Sequence, residues 1–95
     1  MKPFKLDYRP FPAECRGAVT GMTCLCGGQL QILIDSTAPA AEQAETLRHE
    51  LSHIALDHFD DTNRSIQQIE AEADSYAEQL TDADVAALMQ WCTNQ

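Results

Sequence analysis

Arg48-His49-Glu50-Leu51-Ser52-His53 is the stretch from which the rest of the chain is read. On a helix, residues four apart lie on one face with Cβ atoms about 5–6 Å apart. His49 and His53 can therefore turn both imidazoles onto one ion, at bond lengths of about 2.0–2.1 Å. Glu50 points roughly a quarter-turn away from His49. It would flank the ion instead of binding it, where a carboxylate can take a proton from water. The bland alternative is a pair of solvent-facing histidines on an amphipathic helix.

Upstream, Ser36-Thr37-Ala38-Pro39 ends one element and opens the helix. Pro39 suits a first helical turn, and Glu42 and Glu45 sit near the positive end of the helix dipole. Ala44, Leu47, Leu51, Ile54 and Ala55 recur at helical spacing and predict a core face. His49 and His53 fall on the opposite side, where a cleft can form. Before the helix, Gln29–Asp35 reads as a strand, Gly27-Gly28 as a turn, and Arg16 to Cys24 as a weaker strand, together a hairpin. Residues 1–14 hold three of the four prolines. They read as an extended arm, with Phe4, Leu6, Tyr8 and Phe11 as anchors.

Downstream, His58 is expected on the core side of a continuing helix, half a turn from the histidine pair, and is not taken as a ligand. The metzincin spacing also fails, because Leu56 and Phe59 stand where it requires Gly and His. A histidine near a helix C-terminus is favoured by the dipole. Asp60-Asp61-Thr62-Asn63-Arg64 predicts a polar break. Ser65 with Gln68 makes a capping box opening a second helix, with Ile66, Ile69, Ala73, Tyr76, Ala77 and Leu80 as its apolar stripe. Glu70 and Asp74 share one flank and Glu72 lies on the other. A catalytic zinc takes three protein ligands and leaves one position open. Glu70 can be the third ligand, and Asp74 can accept the remaining N–H of a ligating histidine. Glu72 is the rival ligand, since a small helix rotation exchanges the two. Thr81 with Asp84 caps a last helix, whose buried side reads as Val85, Leu88, Met89 and Cys92, with Trp91 over the core.

These elements predict one α+β domain over residues 1–95: a small hairpin or sheet packed on two to three helices, with a zincin-like core. Six basic residues against 15 acidic give a net charge of −9. Such a surface repels phosphate backbones, so direct nucleic-acid binding is not expected. No apolar run has the length of a membrane span, and Met1–Asp7 lacks the apolar core of a signal peptide, so the cytoplasm is the expected compartment. The four cysteines read as small apolar residues or free thiols: Cys24 and Cys26 are too close together for a zinc knuckle.

The residues resemble the ImmA/IrrE family of zinc metallopeptidases, of the wider gluzincin type. The family pattern is a strand, a helix with H-E-L-x-H, and a following helix with E-x-E-A-[ND]-x-[FY]-A. These correspond to Gln29–Asp35, to Arg48–His53, and to Glu70-Ala71-Glu72-Ala73-Asp74-Ser75-Tyr76-Ala77. The likeness spans roughly residues 16 to 80. It implies Zn2+ bound by His49, His53 and Glu70, with Glu50 as general base. It further implies a protein substrate, such as a helix-turn-helix repressor of a phage or mobile element. Leu80-Thr81-Asp82-Ala83 departs from the family's usual Leu-Met-Pro segment, and any DNA-binding target is expected to be a separate protein.

The expected reaction is peptide-bond hydrolysis, with Tyr76, Tyr8 and His58 considered as donors to the oxyanion. An alternative of another class is a regulator that binds a repressor or toxin through the same zinc fold without cutting it. A third is a structural zinc module, closed by Cys24 or Cys26.

Overall fold

A computed structural model describes residues 1–15, 17–60 and 63–94. Three strands and three helices follow the order β1 (Phe4–Arg9), β2 (Gly21–Cys26), β3 (Gln29–Asp35), α1 (Ala40–Ala55), α2 (Ile66–Gln79) and α3 (Asp82–Met89). This is an α+β fold consistent with a zincin-like core. The strand order is β1-β3-β2, with β2 and β3 antiparallel and β1 parallel to β3.

Alternation sets the two faces of the sheet. Phe4, Leu30, Ile32 and Ile34 are buried and cluster with Leu51 and Ile54 of α1. Each such side chain contributes about 1.5–3 kcal/mol on burial, which pins α1 to the sheet by one face. The opposite sheet face carries Lys5, Asp7, Arg9, Gln29 and Gln31, as the strand registers require. Leu6, Leu47, Val85, Leu88, Met89 and Cys92 pack around the rim of the core.

The hairpin turns at Gly27 and Gly28, both in the left-handed region (φ 57° and 79°) that glycine tolerates. Gly21 has a different task. A Cβ there would lie 2.3 Å from Thr46 Cγ2, so its bare backbone is what lets β2 approach α1.

Three sequence expectations are corrected. The N-terminal arm contributes a strand: Phe4–Arg9 completes the sheet, and Phe4, Leu6 and Tyr8 alternate onto the core-facing register. The weak strand expected from Arg16 begins at Gly21, and Arg16 itself lies outside the described residues. On the helices, Ile66 is 79% exposed and Trp91 44% exposed. Ile66 opens α2 before the helix reaches the core, and Trp91 joins the fold through its carbonyl, which accepts from Phe4 N at 3.1 Å. Ala44 is also exposed, on the first half of α1.

The start of β1 is tied to the C-terminal segment. Thr93 N donates to Phe4 O at 2.8 Å. Leu6 N donates to Asn94 Oδ1 at 2.9 Å, and Asn94 Nδ2 returns a bond to Leu6 O at 2.8 Å. Both later helices start at the capping boxes read from the sequence, Ser65 with Gln68 and Thr81 with Asp84. Of the polar break before α2, Asp61 and Thr62 lie outside the described residues.

Candidate metal centre

α1 touches the sheet with Leu51 and Ile54 and turns His49 and His53 toward α2. The two rings stand edge to face, with centroids 4.7 Å apart. Their Nε2 atoms are 3.1 Å apart. Glu70, on the facing flank of α2, brings Oε2 to 2.9 Å from His49 Nε2 and Oε1 to 3.2 Å from His53 Nε2. Around a tetrahedral ion with bonds of about 2.0–2.1 Å, neighbouring ligand atoms lie about 3.3–3.4 Å apart. The three side chains already have nearly that spacing. Among the described residues, His49, His53 and Glu70 are the group able to hold a metal ion.

The hydrogen-bonding roles point the same way. His49 Nδ1 lies 2.9 Å from Asp74 Oδ1. A carboxylate only accepts, so both ring nitrogens of His49 face acceptors; with the ring proton on Nδ1 toward Asp74, the Nε2 lone pair is left for an ion shared with Glu70. Lone pairs from two imidazoles and one carboxylate then converge on one point, an arrangement that needs positive charge between them. A divalent ion would supply it, and the donor set of two nitrogens and one oxygen suits zinc. Burial pushes the His53 imidazole below its ordinary value of 6.5, and Glu70 only partly opposes this. The ring is therefore neutral, as a ligand must be, at pH 7.

Glu50 is buried beside this group. Thr23 Oγ1, from the inward face of β2, donates to Glu50 Oε2 at 2.7 Å. Burial raises the Glu50 carboxyl above its ordinary 4.5, against the lowering effects of Thr23 and His49. A raised carboxyl in a cleft is suited to exchanging protons near neutrality. The cleft itself is about 920 Å³ and is walled by the segment leading into β2, by α1 and by α2, including Thr20, Gly21, Arg48, His49, Glu50, Glu70 and Asp74. Tyr8, Tyr76 and His58 are not among the lining residues. Glu45 and Glu78 add further acid to its walls. Arg48 is already engaged, donating to Leu80 O at 2.7 Å and Asp82 Oδ1 at 2.6 Å.

Glu72, the rival third ligand, faces away from the pair and meets His58 Nε2 at 3.0 Å and Arg64. His58 requires a correction. It is buried, but its Nδ1 lies 2.9 Å from His53 Nδ1, on the histidine side and not the core side. The cause is the end of α1. Asp57 adopts φ 54°, a left-handed cap that stops the helix and swings the chain back. A helix continued past Ala55 would have put His58 half a turn away. Thr23 was also missed; the available signal was a polar residue at an inward-facing strand position, between Cys24 and Met22.

All four cysteines are free. Cys24 and Cys26 place their sulfurs 3.2 Å apart, on the sheet face turned from α1, as the alternation from Thr23 requires. They lie outside the metal-ligating group.

The model of the IrrE N-terminal-like domain, a peptidase family (Peptidase_M78), matches residues 2–90 of the 95. The chain belongs to this family. No curated protein and no solved structure gives a match. In this IrrE N-terminal-like domain, a metallopeptidase family therefore coincides with a His/His/Glu group able to bind a metal ion. No helix among the described residues is long and apolar enough to cross a membrane.

Proposed function

We propose that the protein is a zinc-dependent endopeptidase whose substrate is a regulatory protein, of the DNA-binding repressor type carried by phages and mobile elements. One observation carries the reading: Nε2 of His49, Nε2 of His53 and the Glu70 carboxylate converge at 2.9–3.2 Å beside a buried Glu50. When bound there, zinc would acidify water and polarise a carbonyl. His49, His53 and Glu70 would hold it, and Asp74 would fix the His49 ring through Nδ1.

Glu50 is the general base in this reading. Thr23 holds its Oε2, which leaves Oε1 to take a proton from water and pass it to the leaving amine. Burial serves this role, because a carboxyl with a raised pKa keeps the proton long enough to deliver it. The substrate segment would lie in the cleft between β2 and α2. The acids on its walls, Glu45, Glu70, Asp74 and Glu78, favour a segment rich in lysine and arginine. DNA-binding proteins carry such residues to neutralise phosphates, which supports a repressor as the substrate.

The test is incubation with a helix-turn-helix repressor of a phage or mobile element, followed by mass spectrometry with and without zinc. The expected result is a discrete zinc-dependent cut that is lost in Glu50→Gln while zinc binding stays. Repressor release that survives Glu50→Gln without a cut would replace this reading with binding alone.

A further inference from the structure

His58 stands outside the three converging side chains, yet it is buried and both its nitrogens are engaged. Nδ1 lies 2.9 Å from His53 Nδ1. Nε2 lies 3.0 Å from Glu72 Oε1, and Arg64 pairs with the other oxygen of Glu72. We propose that His58, Glu72 and Arg64 are positioning residues for His53, forming a hydrogen-bonded chain that turns the His53 Nε2 lone pair toward His49 and Glu70. This rests on the reading of that group as a metal site.

The direction of the chain follows from what each atom can do. Glu72 only accepts, so His58 carries its proton on Nε2 and presents a lone pair at Nδ1. That lone pair, 2.9 Å from His53 Nδ1, requires the His53 proton on Nδ1. His53 Nε2 is then bare. Glu72 accepts from His58 with one oxygen and pairs with Arg64 through the other, so it enters the chain as the acceptor at its outer end. Without Glu72, His58 could place its proton on Nδ1 and donate it to His53. The His53 proton would then move to Nε2 and occupy the point where a metal must bind.

The arrangement also explains why α2 carries glutamates two positions apart. Successive helical residues are separated by about 100°, so Glu70 and Glu72 project from opposite flanks. Glu70 meets His53 at Nε2 directly, and Glu72 meets it at Nδ1 through His58. One helix thus holds both ends of one imidazole. The left-handed Asp57 makes this possible by returning His58 to the histidine side.

The experiment reads the imidazole protons by long-range 15N–1H correlation in metal-free protein at pH 8, then zinc affinity by competition with a chromophoric chelator. Wild type should show His53 protonated on Nδ1 and His58 on Nε2. Glu72→Ala is the main variant, since Glu72 is only half-buried and the fold should tolerate its loss. It should move the His53 proton toward Nε2 and weaken zinc binding by about 10–100-fold, the usual effect of losing a partner behind a ligand. The cobalt-substituted spectrum should keep the same ligand set. His58→Phe should weaken zinc as much, and His58→Gln, which keeps an acceptor and a donor, should recover part of the loss. A wild-type His53 protonated on Nε2 would overturn the proposal, as would unchanged zinc affinity in both Glu72→Ala and His58→Phe. If wild type bound no zinc, the metal-site reading would fall, and the proton positions would still decide the relay.

Discussion

His49 and His53 stand one helical turn apart on α1 and offer the same atom to the same point, but their surroundings differ. The His49 side chain is 26% exposed on the cleft wall, with Asp74, itself on the surface, behind its Nδ1. The His53 side chain is 11% exposed and is backed by buried His58 and then by Glu72. One ring borders the space a substrate would enter; the other is part of the protein interior. A metal site built this way has one adaptable ligand and one fixed ligand. The fixed one also takes part in packing, so changes there reach stability as well as binding.

The largest effect expected is on metal content. His49→Ala, His53→Ala and Glu70→Ala should each lose zinc through gel filtration, which elemental analysis would detect. Glu72→Ala should still carry close to one ion per chain, though more weakly held. Retention of zinc by Glu70→Ala would remove that residue from the site.

The two histidines should separate in metal-free stability. His53→Ala leaves His58 Nδ1 buried without its partner, which costs about 1–3 kcal/mol. His49→Ala, on the cleft wall, should change stability by less than about 0.5 kcal/mol. Urea denaturation in the presence of chelator would measure both. The pH dependence should separate them as well. A base whose folded pKa is lowered costs stability as pH falls from its ordinary 6.5 through the lowered value. His53→Ala should flatten that acid-side slope.

Glu50→Gln should show a smaller effect of opposite sign. A carboxyl raised above 4.5 by burial holds its proton more tightly in the folded chain. The fold therefore loses stability as pH rises through the raised value. The glutamine variant has no such charge to bury, so its melting temperature should exceed that of metal-free wild type increasingly as pH rises above 4.5. The smallest effect belongs to Asp57→Gly. Relief of the left-handed strain should be worth no more than about 1 kcal/mol, with zinc affinity unchanged because His58 keeps its place.

Local chemistry made much of the molecule legible. The Gln29–Asp35 strand, the Gly27-Gly28 turn and both capping boxes depend on residues close in sequence, and they occur where the patterns put them. The spacing of His49, His53, Glu70 and Asp74 also follows from helical geometry once α1 and α2 pack together. What escaped depends on distant partners or on one backbone angle. Phe4, Leu6 and Tyr8 alternate as a strand should, but their partner begins at Leu30, and the prolines on either side obscured the period. His58 was misplaced by one left-handed residue. Thr23 gained its meaning only when Gly21 let β2 come against α1.

The bonds that join Phe4 and Leu6 to residues 91–94 span 88 positions in the case of Leu6 and Asn94. Closing a flexible loop of that length costs about 4 kcal/mol of chain entropy, before any constant term. Such contacts are poor nuclei, because the entropy is spent before they return anything. They should form after the hairpin has met α1, and their loss should appear in one limb of the kinetics. Asn94→Ala is expected to accelerate unfolding while refolding keeps its rate. The clasp between β1 and the C-terminal segment would then set how long the folded protein lasts, leaving the speed of its assembly to the hairpin and α1.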